Sequence, residues 1–583
     1  MKVRIPLSIL LLLGAASLAP GQQPAPAEKP AEKCAVSGQV VKAGTGEPLK
    51  KARVTLSKEQ SREGPKTLIT DAQGRFTFSG VEPGRYRLFA ARNGYAQQQY
   101  GQRGPNRPGT PLTLLPGQQV KDAVFRLPPA AVITGKVYDE DGEAVAGVMV
   151  QVLQHRYVQG RRQLAPEGQA ATNDRGEYRV FGLPAGRYYV SATYRPGVGG
   201  FLTLGGGVMT MRGMSGPAPE EAYVPTYYPG TNDASRATPL ELRAGNEVNR
   251  IDFLLLQTRA VRVRGRVYNA VTGKAGRDVQ VTATTPDSRV GGTWFTRPST
   301  QVEGPDGSFE LRGVVPGAYV LMAFWYDDEN NQPYSARLAV NVGDAGLEGV
   351  ELVIERGVDV WGTAVVEGSG ARAAASDGNG EKEKLDLTEL RVALQPREEG
   401  LPYFGSGSRV IKEDGSFTVQ NAMRVASRVA VWGRGPLPGN YYLKSARIDG
   451  NEVLEEGLDL SAGPPRGQLE LVVSPNGGQV EGAVLKDGKP FSGATVTLVP
   501  EEKRRERREL FKTAATDQYG RFTLRGIAPG TYQLFAWEEI EPGAHQDSEF
   551  LKPYEKLGHE VTVEEGSRLS AELKLIPAGE LLR

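Results

Sequence analysis

Cysteine, histidine and methionine are scarce: one, three and seven in 583 residues. With Cys34 alone, no intrachain disulfide can form, although an exported chain could carry one. The three histidines sit in "HRYV" (His155), "HQDS" (His545) and "HEVT" (His559), and none has the His–Glu spacing of a zinc peptidase. No G-x-S-x-G elbow, P-loop or cysteine pair is present. These absences argue against an enzyme, a cofactor or a bound metal. Charge of one sign is lacking too. There are 70 Lys and Arg against 68 Asp and Glu, with no basic stripe carrying interleaved aromatics, so nucleic acid is not an expected partner. No segment reaches 18 apolar residues, and no transmembrane helix is expected in the mature chain.

The longest apolar run, Leu7 to Leu18, follows Lys2 and Arg4 and precedes small residues. It reads as a secretory leader, residues 1–21, with a short membrane anchor as the alternative. Residues 22–33, "QQPAPAEKPAEK", make a Pro/Ala linker. A lipid-anchored cysteine needs small apolar neighbours before it. Cys34 follows Ala31, Glu32 and Lys33, so a free thiol near the first strand is expected.

Glycine (73) and proline (40) make up about 19% of the chain, against an average near 12%. With alternating apolar residues, that composition predicts an all-β protein. One 21-residue pattern appears four times without gaps, as "TDAQGRFTFSGVEPGRYRLFA" (70–90) and at 172–192, 303–323 and 516–536. Glycines stand two before, four after and eight after an aromatic (Phe76, Tyr178, Phe309, Phe522), and a tyrosine stands ten after (Tyr86, Tyr188, Tyr319, Tyr532). The first glycine predicts a tight turn, and the Pro-Gly pair a type II turn. The alternation predicts two strands joined as a β-hairpin, with the tyrosine turned inward. In "DEDG" (139–142) and "TDQYG" (516–520) the ligand count is too low for a calcium loop, so plain turns are expected.

A second pattern, x-G-x-V, opens each unit at Gly38, Gly135, Gly265, Gly362 and Gly482. The fourth unit keeps Asp414, Gly415 and Phe417 but has Val425 and Ser427 where the later glycine and tyrosine should be. Five small β-sandwiches are predicted: 34–128, 129–257, 258–356, a divergent 357–475, and 476–583. Short joints such as "PPAA" (128–131) predict an elongated array. Within it, 195–221 is expected to be a mobile Gly/Met-rich loop and 367–384 a disordered insertion. "EEKRRERREL" (501–510) is expected to be a solvated hairpin extension rather than a docking site.

The combined pattern, G-x-V, then T-D-x-x-G-x-F, then P-G-x-Y-x-L, resembles the carboxypeptidase regulatory-like domain over units one, two, three and five, and partly over unit four. The resemblance implies a transthyretin- or prealbumin-like β-sandwich, related to Cna B-type and starch-binding-like folds. It is to an accessory domain without the catalytic one. Cna B relatives make a Lys–Asn isopeptide bond. In unit two, Lys136 and Asn249 are expected on opposite faces by strand parity, which argues against it.

The expected function is therefore a non-enzymatic, exported scaffold or binding rod at the cell envelope or outside it, monomeric, with an envelope protein as a possible partner. The alternative is polysaccharide binding through loop aromatics, with Tyr223, Tyr227, Tyr228, Trp325, Tyr326 and Trp537 as candidate contacts. Phe324, Tyr441 and Tyr442 stand in the same kind of position. The competing expectation is that these rings pack inside the fold.

Overall fold

The computed structural model describes residues 32–579, apart from 60, 62, 105–106, 159, 195–200, 205–206, 211–220, 286–297, 303, 330–331, 369–373, 377–381, 398–408, 434 and 436. The leader and most of the linker lie outside the described residues, as does much of 195–221 and 367–384. In those two insertions the short ladders Phe201–Leu204 with Gly207–Thr210 and Ala374–Ser376 with Lys382–Lys384 are described.

Unit one shows the plan. Its strands are β1 (Cys34–Lys42), β2 (Arg53–Lys58), β3 (Lys66–Ile69), β4 (Arg75–Val81), β5 (Gly84–Ala91), β6 (Gln98–Gln99), β7 (Leu112–Leu114) and β8 (Gln119–Leu127). One sheet has the order β4-β1-β8; the other runs β3-β2-β5, with β6 and β7 both pairing to β5. β1 is antiparallel to β4 and parallel to β8. The same relations recur for the first strands of the other four units. Inward residues of both sheets interdigitate, as in any two-sheet sandwich. Phe76, Phe78, Tyr86, Leu88 and Ala90 meet Val36, Val40 and Phe125 in one core. Among the described residues, the other large buried clusters fall within 131–255, 261–354, 358–473 and, with Tyr442 added, 480–575.

The expected hairpin is corrected. β4 pairs with β1 and β5 pairs with β2, so the two strands of the repeat lie in opposite sheets. The same holds in unit five, where Arg521–Ile527 pairs with Gly478–Lys486 and Gly530–Trp537 with Thr495–Pro500. The Pro-Gly corner therefore crosses the sandwich as an arch. Its glycines are not at the left-handed position of a type II turn. Gly84, Gly317 and Gly530 have φ of 146°, 154° and 148° and open the second strand. The tyrosine fastens the corner. The hydroxyls of Tyr86, Tyr188 and Tyr532 donate to the carbonyls four residues back, at Glu82 (2.9 Å), Pro184 (3.0 Å) and Ala528 (2.8 Å). All four repeat tyrosines are buried, Tyr319 included.

The T-D or T-N start of the repeat is a second fastener. Thr70, Thr172 and Thr516 each donate to a carbonyl of the preceding turn and accept the amide N–H of the residue just before the unit's second strand, at 2.7 and 2.9 Å every time. The neighbouring Asp71, Asn173 and Asp517 each accept two backbone N–H groups through Oδ1, closing the tight turn.

The x-G-x-V glycines now have a cause. A Cβ on Gly38, Gly135, Gly265, Gly362 or Gly482 would lie 2.0, 2.1, 2.1, 2.2 or 1.7 Å from a carbonyl oxygen of the parallel last strand. Each glycine pairs directly with the repeat aromatic: Phe76, Tyr178, Phe309, Phe417 and Phe522 in turn. The ring shields the bare backbone on the core side.

The expected elongated array is also corrected. Unit five carries two additions, 501–510 and 538–558, the second holding the four-residue helix Ser548–Leu551. Through these and its Asp517–Tyr519 turn it touches units one, two and four. The tandem folds back on itself because its last unit offers polar groups to the first.

Candidate interaction surfaces

Of the aromatics chosen from sequence, most serve packing. Trp537 is 2% exposed, its Nε1 donates to Thr497 Oγ1 at 3.0 Å, and its ring stacks on Phe535 and meets Tyr554. Trp537 is therefore corrected from candidate contact to core. Tyr227 is buried beside Leu153 and Leu164. Tyr228 is half-buried against Phe253. Tyr223 faces Tyr194, and its hydroxyl donates to Glu140 at 2.7 Å. Burial, then Glu140, pushes Tyr223 up to about 12. Trp325 is half-buried and stacked on Tyr334 at 5.3 Å. Tyr326 is 50% exposed. Tyr441 and Tyr442 are buried at the joint of units four and five.

The charged stretch 501–510 is not a solvated extension. Arg507 is 8% exposed in its side chain and pairs with Glu455 of unit four (2.8 Å) and with Glu509 (2.7 Å). Burial opposes its charge, but Glu509 and Glu455 outweigh burial and hold the guanidinium above its ordinary value. Glu506 receives Arg397 at 2.9 Å and also Arg428, both from unit four. Nearby, Lys444 bridges Glu367 and Glu565, and Ser474 donates to both carboxylates. The Lys444 hydrogen bond holds Glu565 below the usual carboxylate range.

Unit five meets unit one through a backbone-like clasp. Gln518 Oε1 accepts from Thr113 N (3.0 Å) while its Nε2 donates to Thr113 O (2.8 Å). Thr113 Oγ1 donates to Asp517 (2.8 Å), Arg107 pairs with Glu539 (2.8 Å), and Arg103 lies over Phe491 at 4.5 Å. Against unit two, Phe550 packs edge-on to Tyr157 and Glu541 pairs with Arg162. His545 is buried in this addition against Phe511, and burial depresses it to about 4. His155 packs on Tyr189 and His559 is exposed on a strand. Among the described residues no three His, Cys, Asp or Glu side chains gather as metal ligands would. Cys34 is buried, its Sγ 3.0 Å from Leu115 O.

A cleft of about 580 Å³ lies on the outer face of unit two. Its floor is Ala131–Tyr138, with Glu177–Leu183 on one side and 249–252 on the other. Lys136 and Asn249 both line it, which corrects the parity argument. The last strand pairs Val248 with Ile133 but Phe253 with Val137, so one extra residue bulges between them. Arg250 sits at that bulge with φ 62°. The bulge lets Asn249 face out while Ile251 stays in the core. Lys136 is 44% exposed and bonded to Glu177 at 3.0 Å, so it makes no enclosed pair with Asn249. Sequence reasoning missed this site. The nearest visible signal is the outward row of the repeat strand, where Arg179 lines the cleft and Phe181, two residues on and outside the lining, is 71% exposed.

The family model of the carboxypeptidase regulatory-like domain matches residues 35–128 and 132–198. Two adjacent segments of the chain thus match one regulatory-like domain model in tandem. Beyond the matched segments, the first strand again lies between the repeat strand and the parallel last strand, with the glycine–aromatic pair in place. No curated protein matches the sequence. Among solved structures the chain is similar to the TIE protein of Bacillus anthracis (11% identity, 56% of this chain and 51% of that one, TM-score 0.16). It therefore spans about half the length of that relative. It is also similar to GBS52, the minor pilin of Streptococcus agalactiae (12%, 38% and 97%, TM-score 0.20), and to BcpA, the major pilin subunit of Bacillus cereus (11%, 56% and 99%, TM-score 0.13). These likenesses carry no site residue across to this chain. No helix among the described residues is long and apolar enough to cross a membrane.

Proposed function

We propose that the chain is a non-enzymatic, exported scaffold that acts as a monomer and presents its β-sandwich faces to an envelope or extracellular partner. The observation that carries this reading is the docking of unit five. A string of independent beads would need no clasp between its last and first members. Here Gln518, Asp517 and Glu539 hold unit one, while Glu506 and Arg507 hold unit four. Such contacts fix the units relative to one another, and fixed geometry is what a scaffold supplies. Export rests on the leader-like residues 1–21. Sugar binding by the loop aromatics is the weaker reading, because of the six candidates only Tyr326 counts as exposed. The test is chemical crosslinking of the native protein in its own cells, followed by fractionation. Recovery outside the cytoplasm in crosslinks to one recurring envelope partner supports the proposal. Cytoplasmic recovery, or no recurring partner, defeats it.

A further inference from the structure

The cleft of unit two has a charge imbalance that the fold does not use. Lys136 is neutralised by Glu177 at 3.0 Å. Asp252 spends one carboxylate oxygen on the Lys136 backbone N–H at 2.8 Å. Against the Asp252 carboxylate the lining sets two guanidinium groups, Arg179 and Arg250, which leaves the cleft one net positive charge. Arg250 has no carboxylate partner among the described residues. It is held at φ 62°, where the same bulge has Asp122 at φ 64° in unit one and Gly349 at φ 71° in unit three. The bulge thus takes a different residue in each of these units, and in unit two it is an arginine that lines the cleft. Asn249 accepts from Thr134 Oγ1 at 2.6 Å, so its amide nitrogen is what it offers a ligand. Just outside the lining, on the same outward row as Arg179, stands Phe181, 71% exposed, with the Arg179 guanidinium 5.9 Å from its ring centre.

We propose that this cleft binds a carboxylate-bearing polysaccharide, a polymer of uronic-acid type. Guanidinium groups pair carboxylates through two parallel hydrogen bonds. An exposed ring gives a flat apolar face on which a sugar ring can lie. The volume is in the range of small-ligand sites, about 300–1,000 Å³, which suits a short stretch of chain. A neutral sugar would leave both arginines unanswered. A densely charged polyphosphate would meet two arginines and a carboxylate pair, too few positive groups for its charge. The site goes beyond the scaffold reading, and neither depends on the other.

The test is affinity electrophoresis of the full mature chain in gels containing polygalacturonate or, in parallel, neutral amylose. Retardation by polygalacturonate alone, weakening as salt rises, is expected. The pair Arg179→Thr with Arg250→Gly should weaken apparent affinity about tenfold or more, that is by at least about 1.4 kcal/mol. Arg250→Gly suits the bulge, so the fold should persist. Phe181→Thr, on an exposed position, should weaken binding severalfold, and Tyr326→Ala should leave it unchanged. No retardation by polygalacturonate, equal retardation by amylose, or retardation that survives both cleft variants would overturn the proposal.

Discussion

Gly482→Ala tests why every unit opens with the same glycine. A Cβ at position 482 would lie 1.7 Å from Ala571 O and 2.8 Å from Ala571 C. These are backbone atoms of a paired strand, so no side chain can swing aside. A carbon and an oxygen need a little over about 3 Å, so the strands must part by about 1.5 Å. That stretch ends N–H···O bonding, whose heavy-atom distances lie at about 2.7–3.2 Å. Two or three ladder bonds on either side of Gly482↔Ala571 would go. At about 1 kcal/mol net for each bond, the loss is about 3 kcal/mol, the upper range for one substitution. Gly566→Ala is the control. Its φ is 70° but nothing lies within 4 Å of its Cβ, so it carries backbone strain of about 1 kcal/mol without a clash. Hydrogen exchange resolved by peptide is the assay, because a single melting midpoint does not report on one part of a chain with several separate cores. Gly482→Ala should strip protection from 478–486 and 568–576 and leave unit one untouched. If those peptides exchange as in the parent, or no faster than in Gly566→Ala, the close-approach explanation is wrong.

Tyr532→Phe removes the hydroxyl from Ala528 O and should cost about 1 kcal/mol in urea unfolding of unit five; an unchanged midpoint would deny the corner its fastener. Arg107→Ala with Gln518→Ala cuts the clasp of units one and five, and small-angle scattering should show a larger radius of gyration than the parent; equal radii would mean the clasp does not hold the shape. His545 is neutral in the fold because burial depresses it to about 4, whereas it titrates near 6.5 when unfolded. Its contribution is therefore present above pH 6.5 and is lost as pH falls from 6.5 towards 4. His545→Phe should flatten the pH dependence of unit-five stability in that window, and an unaltered slope would rule the histidine out as its source.

What the residues revealed, they revealed through parity and spacing. Alternation alone turns Tyr86 inward, and it is buried, as are Leu88 and Ala90 on the same row and Phe76 and Phe78 on the strand before. Alternation does not say which strand pairs with which. A strand–corner–strand segment looks the same whether its halves share a sheet or face each other, so the arch was read as a hairpin. The bulge at Arg250 shows the limit of parity itself, since one extra residue reverses every side chain beyond it. The stretch 501–510 misled for another reason. Its charges are balanced by Glu455, Arg397 and Arg428, which stand between about 50 and 110 residues away. No local window contains them. Trp537 was misplaced likewise, because the helix and turns that cover it come later in the chain and carry no repeat pattern.

The parallel pairing of first and last strand has a mechanical meaning. In unit one, residues 35–42 run beside 119–127 in the same direction, so the polypeptide enters at one pole of the sandwich and leaves from the other. Traction on the two ends drags these neighbours lengthwise past each other and loads all their bonds together, where an antiparallel terminal pair would peel open one bond at a time. Once the clasp of the outer units lets go, stretching the protein in a force microscope should give a few tall, similar rupture peaks rather than a low plateau, and a plateau would show that the load takes another route.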